Sequence, residues 1–466
     1  MLTTKFSSGS NKTFAQYLQS KAVYVDKTKF ACDLAKEHES FVLHRPHGMG
    51  KSLLVSSLEH LFSKGTVGTE GLYCHEHWQD PNCYFVFHFS WTDISAFSRD
   101  SFERGLYAQL IPYAELFGVT LDEEYNIWVN FIKLVKESEK KLSDESFLAQ
   151  HPELTDGDRP LCNKIVVIVD DYDAPLNKNL QKPEVFKEIK EAVGLFFRSF
   201  KNISMRFVLL TGVRGIALCD MFGGANQFID ISLDGRYATS CGYTLEEIER
   251  YFEPQIKHAQ EVLNIDHETF VSNLHYYIDG AVLSDEQGEN RQDIKVFNPV
   301  IISSLLNNPK QGFEKTCPEP YLPYNFLVKV LKESAKAVFL ETMPKTNIHL
   351  FSADEPVYKT VYNSILSMTS VMLLDREYDM FGQGGDKLLE VDVNRLKDKL
   401  DSVADIDAAK AILILFQEGY LTIKAVKDEI AFLGLANIKV AQLLSPYFIQ
   451  NSPLAKIFKK WQENKG

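Results

Sequence analysis

Long apolar runs are missing from this 466-residue chain. The longest, such as 165–169 and 411–416, fall far short of the roughly 20 residues that a membrane-crossing helix needs, so no transmembrane span is expected. The opening stretch, Met1 to Thr13, is polar and lacks the apolar core of a secretory signal, which argues against export by the general route. Cysteine is scarce: seven residues, an odd number without repeating spacing, exclude a disulfide framework and suggest reduced thiols in a cytoplasmic protein. Secretion by a dedicated system stays compatible with these features. Positive charge is in deficit, with 50 Lys and Arg against 63 Asp and Glu and a net charge of −13. That balance argues against a chain that coats nucleic acid or an anionic membrane. There is no Gly-x-Ser-x-Gly nucleophile elbow, no internal repeat and no low-complexity tract.

What is present is ordinary globular composition, 45% hydrophobic and 24% charged, in a chain too long for one core. Short β-rich apolar runs at 41–44, 83–90, 165–169, 207–211 and 228–233 alternate with helical patterns, which predicts an α/β fold with a parallel sheet. The 101–141 segment reads as helical and 142–160 as a polar loop. Thr244-Leu245-Glu246-Glu247 resembles a helix N-cap with acidic first-turn residues. The expected division is therefore 1–240 for the sheet domain with an insertion near 100–160, a helical lid-like domain at 241–323, and a mainly helical, mixed α/β domain at 324–466. In the last of these, a short strand is expected near 420–424.

The chemistry begins at His44-Arg45-Pro46-His47-Gly48-Met49-Gly50-Lys51-Ser52, which lies between an apolar strand and a helical pattern carrying Leu54, Leu58 and Leu61. A phosphate cradle needs glycines that let backbone N–H groups approach oxygen, a lysine for β/γ charge and a hydroxyl for Mg²⁺. Gly50, Lys51 and Ser52 supply these, although Arg45 stands where the usual pattern has its first glycine. A second run, 165–169, ends in Asp170-Asp171. Asp170 is thereby placed at the carboxyl edge of the sheet, as a ligand of Mg²⁺, with Asp171 orienting or deprotonating water. The alternative is that Asp171 and Asp173 cap the turn before Pro175. The 207–211 run matches an added strand lying between the two motif-bearing strands. It places Thr211 near the γ-phosphate and makes Arg214 a candidate charge-stabilising group, with a solvent-facing arginine as the alternative.

These segments together resemble the bacterial AAA-ATPase-like family, a P-loop NTPase family often fused to a carboxy-terminal restriction-endonuclease-like module. The resemblance covers about 20 to 440. It rests on Tyr24-Val25-Asp26-Lys27-Thr28, Arg45-Pro46 with Gly50-Lys51-Ser52, Asp170 with Tyr172-Asp173-Ala174-Pro175-Leu176, Thr211-Gly212-Val213, Asp230-Ile231, Gly242-Tyr243-Thr244, Asn298-Pro299 and Gly419-Tyr420-Leu421-Thr422. It implies an ATP site with Mg²⁺, an arginine as the normal residue at position 45, and base or ribose packing near Tyr24, Asp26 and Thr28. A simple helix cap by Asp26 or Thr28 is the competing reading. Departures from the family pattern at His47, Gly48, Met49, Asp171 and Arg214 make slow or absent hydrolysis compatible with binding. Only 44 residues follow Thr422, too few for a nuclease module, so that activity is not carried over.

Three readings follow: an ATP-driven conformational switch with an unidentified protein partner, a nucleotide-stabilised scaffold, and an effector-like phosphoryl or nucleotidyl transferase. The Cys74, His77, Cys83 and His88 set does not match a zinc framework. Lys456, Lys459, Lys460 and Trp461 read as a solvated helix end.

Overall fold

The computed structural model describes residues 12–20, 22–37, 39–122, 124–154, 159–217, 228–289, 291–316, 322, 326–327, 388–404, 406–438 and 440–441. They form two compact units. The first comprises 1–45, 50–232 and 399–404, and the second 46–49, 233–398 and 405–466.

The first unit is built on a five-stranded parallel sheet. Its strands are β1 (Ser40–His44), β2 (Cys83–Ser90), β3 (Leu161–Asp170), β4 (Phe207–Gly212) and β5 (Ile229–Asp230). Their order across the sheet is β2-β3-β4-β1-β5. Thus β4 lies between the strands that end in His44 and Asp170, as the sequence predicts. Ile165 to Val169 are all fully buried. Burial on both faces explains why these strands read as unbroken apolar runs, and each such side chain contributes roughly 1.5–3 kcal/mol by leaving water.

The segment expected to be helical holds two helices, Arg99–Phe117 and Ile127–Lys141. Gly118 ends the first in a left-handed conformation at φ 62°, while the Val119 N–H closes back on the Ala114 carbonyl at 2.8 Å. The polar loop after them holds a short helix, Glu145–Gln150, capped by the Asp144 carboxylate. The fifth strand is shorter than the expected 228–233 run: only Ile229 and Asp230 pair, both exposed at the sheet edge, whereas Ile231 and Leu233 are buried beyond it.

A late part of the chain completes this unit. The Leu400 N–H donates to the Gly215 carbonyl at 2.8 Å, and the Ala217 N–H to the Leu400 carbonyl at 2.9 Å. Lys190 Nζ reaches the Asp401 carbonyl at 2.7 Å, and Lys399 pairs with Asp230.

The second unit combines helices with a four-stranded antiparallel sheet of order β6-β8-β9-β7. Its strands are β6 (Gly288–Glu289), β7 (Leu389–Asp392), β8 (Leu421–Lys427) and β9 (Ile430–Leu435). Helix Leu245–Tyr251 opens with a reciprocal capping box between Thr244 and Glu247. The β8–β9 hairpin turns at Asp428 and Glu429, with φ 49° and 64°. The sequence predicts only the first strand of this hairpin, near 420–424. Most of 324–387 lies outside the described residues, as does the stretch from 442 onward with Lys456, Lys459, Lys460 and Trp461.

Candidate functional site

In the first unit, helix Lys51–Lys64 starts at Gly50, whose φ of 93° suits glycine and not a β-carbon residue. The Gly50 carbonyl accepts from the Leu53 and Leu54 N–H groups, both at 3.2 Å. Lys51 is buried: its Nζ donates to the Arg45 carbonyl at 3.1 Å and lies 3.9 Å from Asp171 Oδ1. Ser52 is exposed on the first turn. Hydroxyl and helix N-terminus are thus available for hard-oxygen and phosphate chemistry.

Arg45 is buried, and its Nη1 donates to the His44 carbonyl at 2.9 Å and the Ser232 carbonyl at 2.6 Å. Its own N–H bonds the Gly212 carbonyl at 3.0 Å. At the position of the missing first glycine, this arginine fastens the root of the loop to the ends of β1 and β4.

Asp170 ends β3 with a buried carboxylate whose Oδ1 accepts from the Thr211 hydroxyl at the end of β4. The next residue, Asp171, is bent into the left-handed region at φ 52°. Its backbone N–H points to Thr211 Oγ1 at 3.4 Å, and its Oδ2 accepts from Thr92 Oγ1 at 2.9 Å. Lys51, Asp170, Asp171 and Thr211 are therefore gathered at the carboxyl ends of neighbouring parallel strands, where α/β ligands bind. A non-glycine residue held at positive φ in such a place stores conformational strain of the sort found at functional sites.

Asp173 does not cap its own turn. Its buried carboxylate accepts from the N–H groups of Val213 at 3.1 Å and Arg214 at 2.7 Å, and from Asn177 Nδ2 at 2.7 Å. Burial pushes its pKa up despite these donors. Gly212 has no room for a side chain, because a β-carbon there would stand 2.6 Å from Asp173 Oδ1. Arg214 is not solvent-facing: it is buried and bonds Asn177 Oδ1.

His44 joins the same framework, with Nε2 at 2.9 Å from the Tyr172 hydroxyl and Nδ1 at 3.0 Å from Ser232 Oγ. The Tyr172 hydroxyl donates to the Arg214 carbonyl at 3.2 Å. Burial, and then the cations Lys399, Arg45 and Lys51, hold the His44 imidazole well below its usual range, outweighing Asp230 at 3.7 Å. Burial likewise lowers Lys399 to about 8.

The Tyr24 to Thr28 segment is used for capping. Asp26 Oδ1 accepts from the Thr28 N–H at 2.9 Å and its hydroxyl at 2.6 Å, while Oδ2 accepts from the Tyr73 N–H at 2.7 Å. The buried Tyr24 hydroxyl lies 3.5 Å from Ser57 Oγ, and burial raises its pKa. Among the described residues no group of three or more His, Cys, Asp and Glu side chains is arranged to hold a metal. His88 instead pairs with Glu59 at 2.8 Å.

The remaining loop residues, Pro46, His47, Gly48 and Met49, are packed within the second unit, where Asn298 and Gly242 bond their carbonyls. Sequence reasoning missed Thr92 and Asn177 and gave no role to the His44 imidazole or to Asp173 as an acceptor for Val213 and Arg214. Of these, only His44 and Asp173 lay within quoted motifs.

Residues 10–222 match the family described as Predicted AAA-ATPase. A curated relative, the uncharacterized protein in the vnfD 5' region of Azotobacter chroococcum mcd 1, is 29% identical over 250 residues. The match covers 53% of this chain and 44% of the relative, so the chain spans less than half of that protein's length. The Walker-type ATPase PABY2304 of Pyrococcus abyssi is 10% identical with a TM-score of 0.39, covering 92% of this chain and 99% of that one. The STAND protein with a tetratricopeptide repeat sensor, PH0952 of Pyrococcus horikoshii, is 12% identical with a TM-score of 0.23, covering 91% and 42%. No helix among the described residues is long and apolar enough to cross a membrane.

Proposed function

We propose that this chain, whose residues 10–222 match the Predicted AAA-ATPase family, binds Mg²⁺-ATP, hydrolyses it and changes conformation with the bound nucleotide. The observation that carries this reading is the gathering of Lys51, Asp170, Asp171 and Thr211 at the ends of β1, β3 and β4. Lys51 Nζ, resting on the Arg45 carbonyl, would transfer to phosphate oxygen. Ser52 and Asp170 offer the hydroxyl and carboxylate oxygens that suit Mg²⁺, and the ion would neutralise charge on the terminal phosphates. Thr211 fixes the Asp170 carboxylate, and Asp171 would orient water or accept its proton.

A second reading, a nucleotide-stabilised scaffold, draws support from Thr92, whose hydroxyl occupies one Asp171 oxygen. Mg²⁺-dependent ATP binding and phosphate release, measured on wild type, Lys51→Ala and Asp171→Asn, separate the two. Turnover lost in both variants supports the ATPase, binding without turnover supports the scaffold, and no binding refutes both. The switch adds a further expectation, different solution scattering with ATP and with ADP; identical profiles would remove it, and with it the protein partner that would read the two states.

A further inference from the structure

Within the second unit, two hydrogen bonds fix alternate peptide planes of the loop. Asn298 Nδ2 donates to the His47 carbonyl at 2.8 Å, and the Gly242 N–H donates to the Met49 carbonyl at 2.7 Å. The donors are themselves immobilised. Asn298 Oδ1 accepts from the Val300 and Ile301 N–H groups at 3.0 and 3.4 Å, capping helix Pro299–Asn307. The preceding Phe297 exchanges both backbone hydrogen bonds with Tyr243, at 2.7 and 2.9 Å.

Two glycines, one in the loop and one facing it, match this arrangement. Gly48 has φ 74°, and a β-carbon on it would stand 2.9 Å from Asn298 Oδ1. Gly242 has φ 84°, and a β-carbon on it would meet Val296 at 2.7 Å and the Met49 methyl at 2.8 Å.

In a trans peptide the carbonyl of one residue and the N–H of the next point in opposite directions. Holding the His47 carbonyl toward Asn298 therefore turns the Gly48 N–H away from it, and holding the Met49 carbonyl turns the Gly50 N–H likewise. Backbone N–H groups left facing away from such partners are what an anion cradle draws on. With Arg45 in place of the first glycine, this bracing supplies the order that the loop's own sequence does not.

We propose that Asn298 is a positioning residue for phosphate binding, setting the direction of the Gly48 N–H through the His47 carbonyl. The inference rests on the nucleotide reading above.

The side chain has two separable jobs, so the test keeps one and removes the other. Asn298→Ser and Asn298→Asp both retain an oxygen that caps the helix, and Asp has no donor for His47. Titration calorimetry with Mg²⁺-ATP on the full chain, beside thermal unfolding without nucleotide, gives the readout. The expected result is unchanged melting with ATP affinity weakened about tenfold in both variants, the equivalent of one hydrogen bond. Wild-type affinity in either cap-retaining variant overturns the proposal. So does a fall in melting temperature that accounts for the whole loss, since Asn298 would then be only a cap. Absence of ATP binding by the wild type, with Lys51→Ala as control, defeats the nucleotide reading itself and this inference with it.

Discussion

Replacement of Asp171 separates the backbone role of this residue from the role of its carboxylate. Its φ of 52° lies where a β-carbon costs roughly 1–2 kcal/mol, a cost that Asn and Asp moderate and Gly escapes. The side chain returns one hydrogen bond from Thr92 at 2.9 Å, worth about 1 kcal/mol net. Asp171→Gly should lose that bond and relieve the strain, leaving stability within about 1 kcal/mol of wild type. Asp171→Asn keeps both the tolerance and an acceptor, and should also stay close. Asp171→Ala keeps the strain and loses the bond, so it should be about 2 kcal/mol less stable than wild type. If the carboxylate orients or deprotonates water, all three should lose turnover by about 10²–10⁴-fold regardless of stability. Urea unfolding and phosphate release on the same preparations give both quantities. Asp171→Ala as stable as Asp171→Gly would refute the backbone argument, and undiminished turnover in Asp171→Asn would refute the catalytic one.

His44, held neutral by burial and by neighbouring cations, binds its proton more weakly folded than unfolded. As pH falls below about 6.5 the unfolded chain takes up that proton first, so stability present above this value is lost at about 1.4 kcal/mol per pH unit. Denaturation at pH 7.0, 6.0 and 5.5 should show a steeper loss in wild type than in His44→Gln; parallel curves would contradict the assignment. Asp173→Ala strands the Val213 and Arg214 N–H groups and the Asn177 amide, and should cost about 3–5 kcal/mol in chemical unfolding. Saturating ATP at a hundredfold excess over its dissociation constant should stabilise the chain by about 2.7 kcal/mol. Chelating Mg²⁺ or introducing Lys51→Ala should remove most of that shift in a thermal melt.

The sheet and the order of its strands were legible because buried parallel strands announce themselves as apolar runs, and the Asp170-Asp171 pair marks where one of them ends. Gly50-Lys51-Ser52 was legible for the same reason, a strand followed by an amphipathic helix. Other features had no local sign. The turn at Asp428-Glu429 uses two left-handed residues without the usual Asn-Gly, which hid the second strand of the hairpin. The break at Gly118 was written in the sequence, but a lone glycine inside a helical pattern does not by itself say stop. The bond that Arg45 makes to the Ser232 carbonyl, and the turn of Asp173 toward Val213 and Arg214, depend on groups remote in sequence. Residue type alone could not distinguish these from phosphate contacts or a helix cap.

The pairing of Leu400 with Gly215 and Ala217 also has a consequence during synthesis. A ribosome that has made all five strands of the parallel sheet has not yet made the segment that pairs beyond the end of β4. Lys190 and Asp230 wait for the same late residues. At typical rates of translation the delay is roughly nine to thirty-four seconds, far longer than strand pairing itself takes. Throughout it, the nascent chain exposes backbone beside β4 that a chaperone or another nascent chain can occupy.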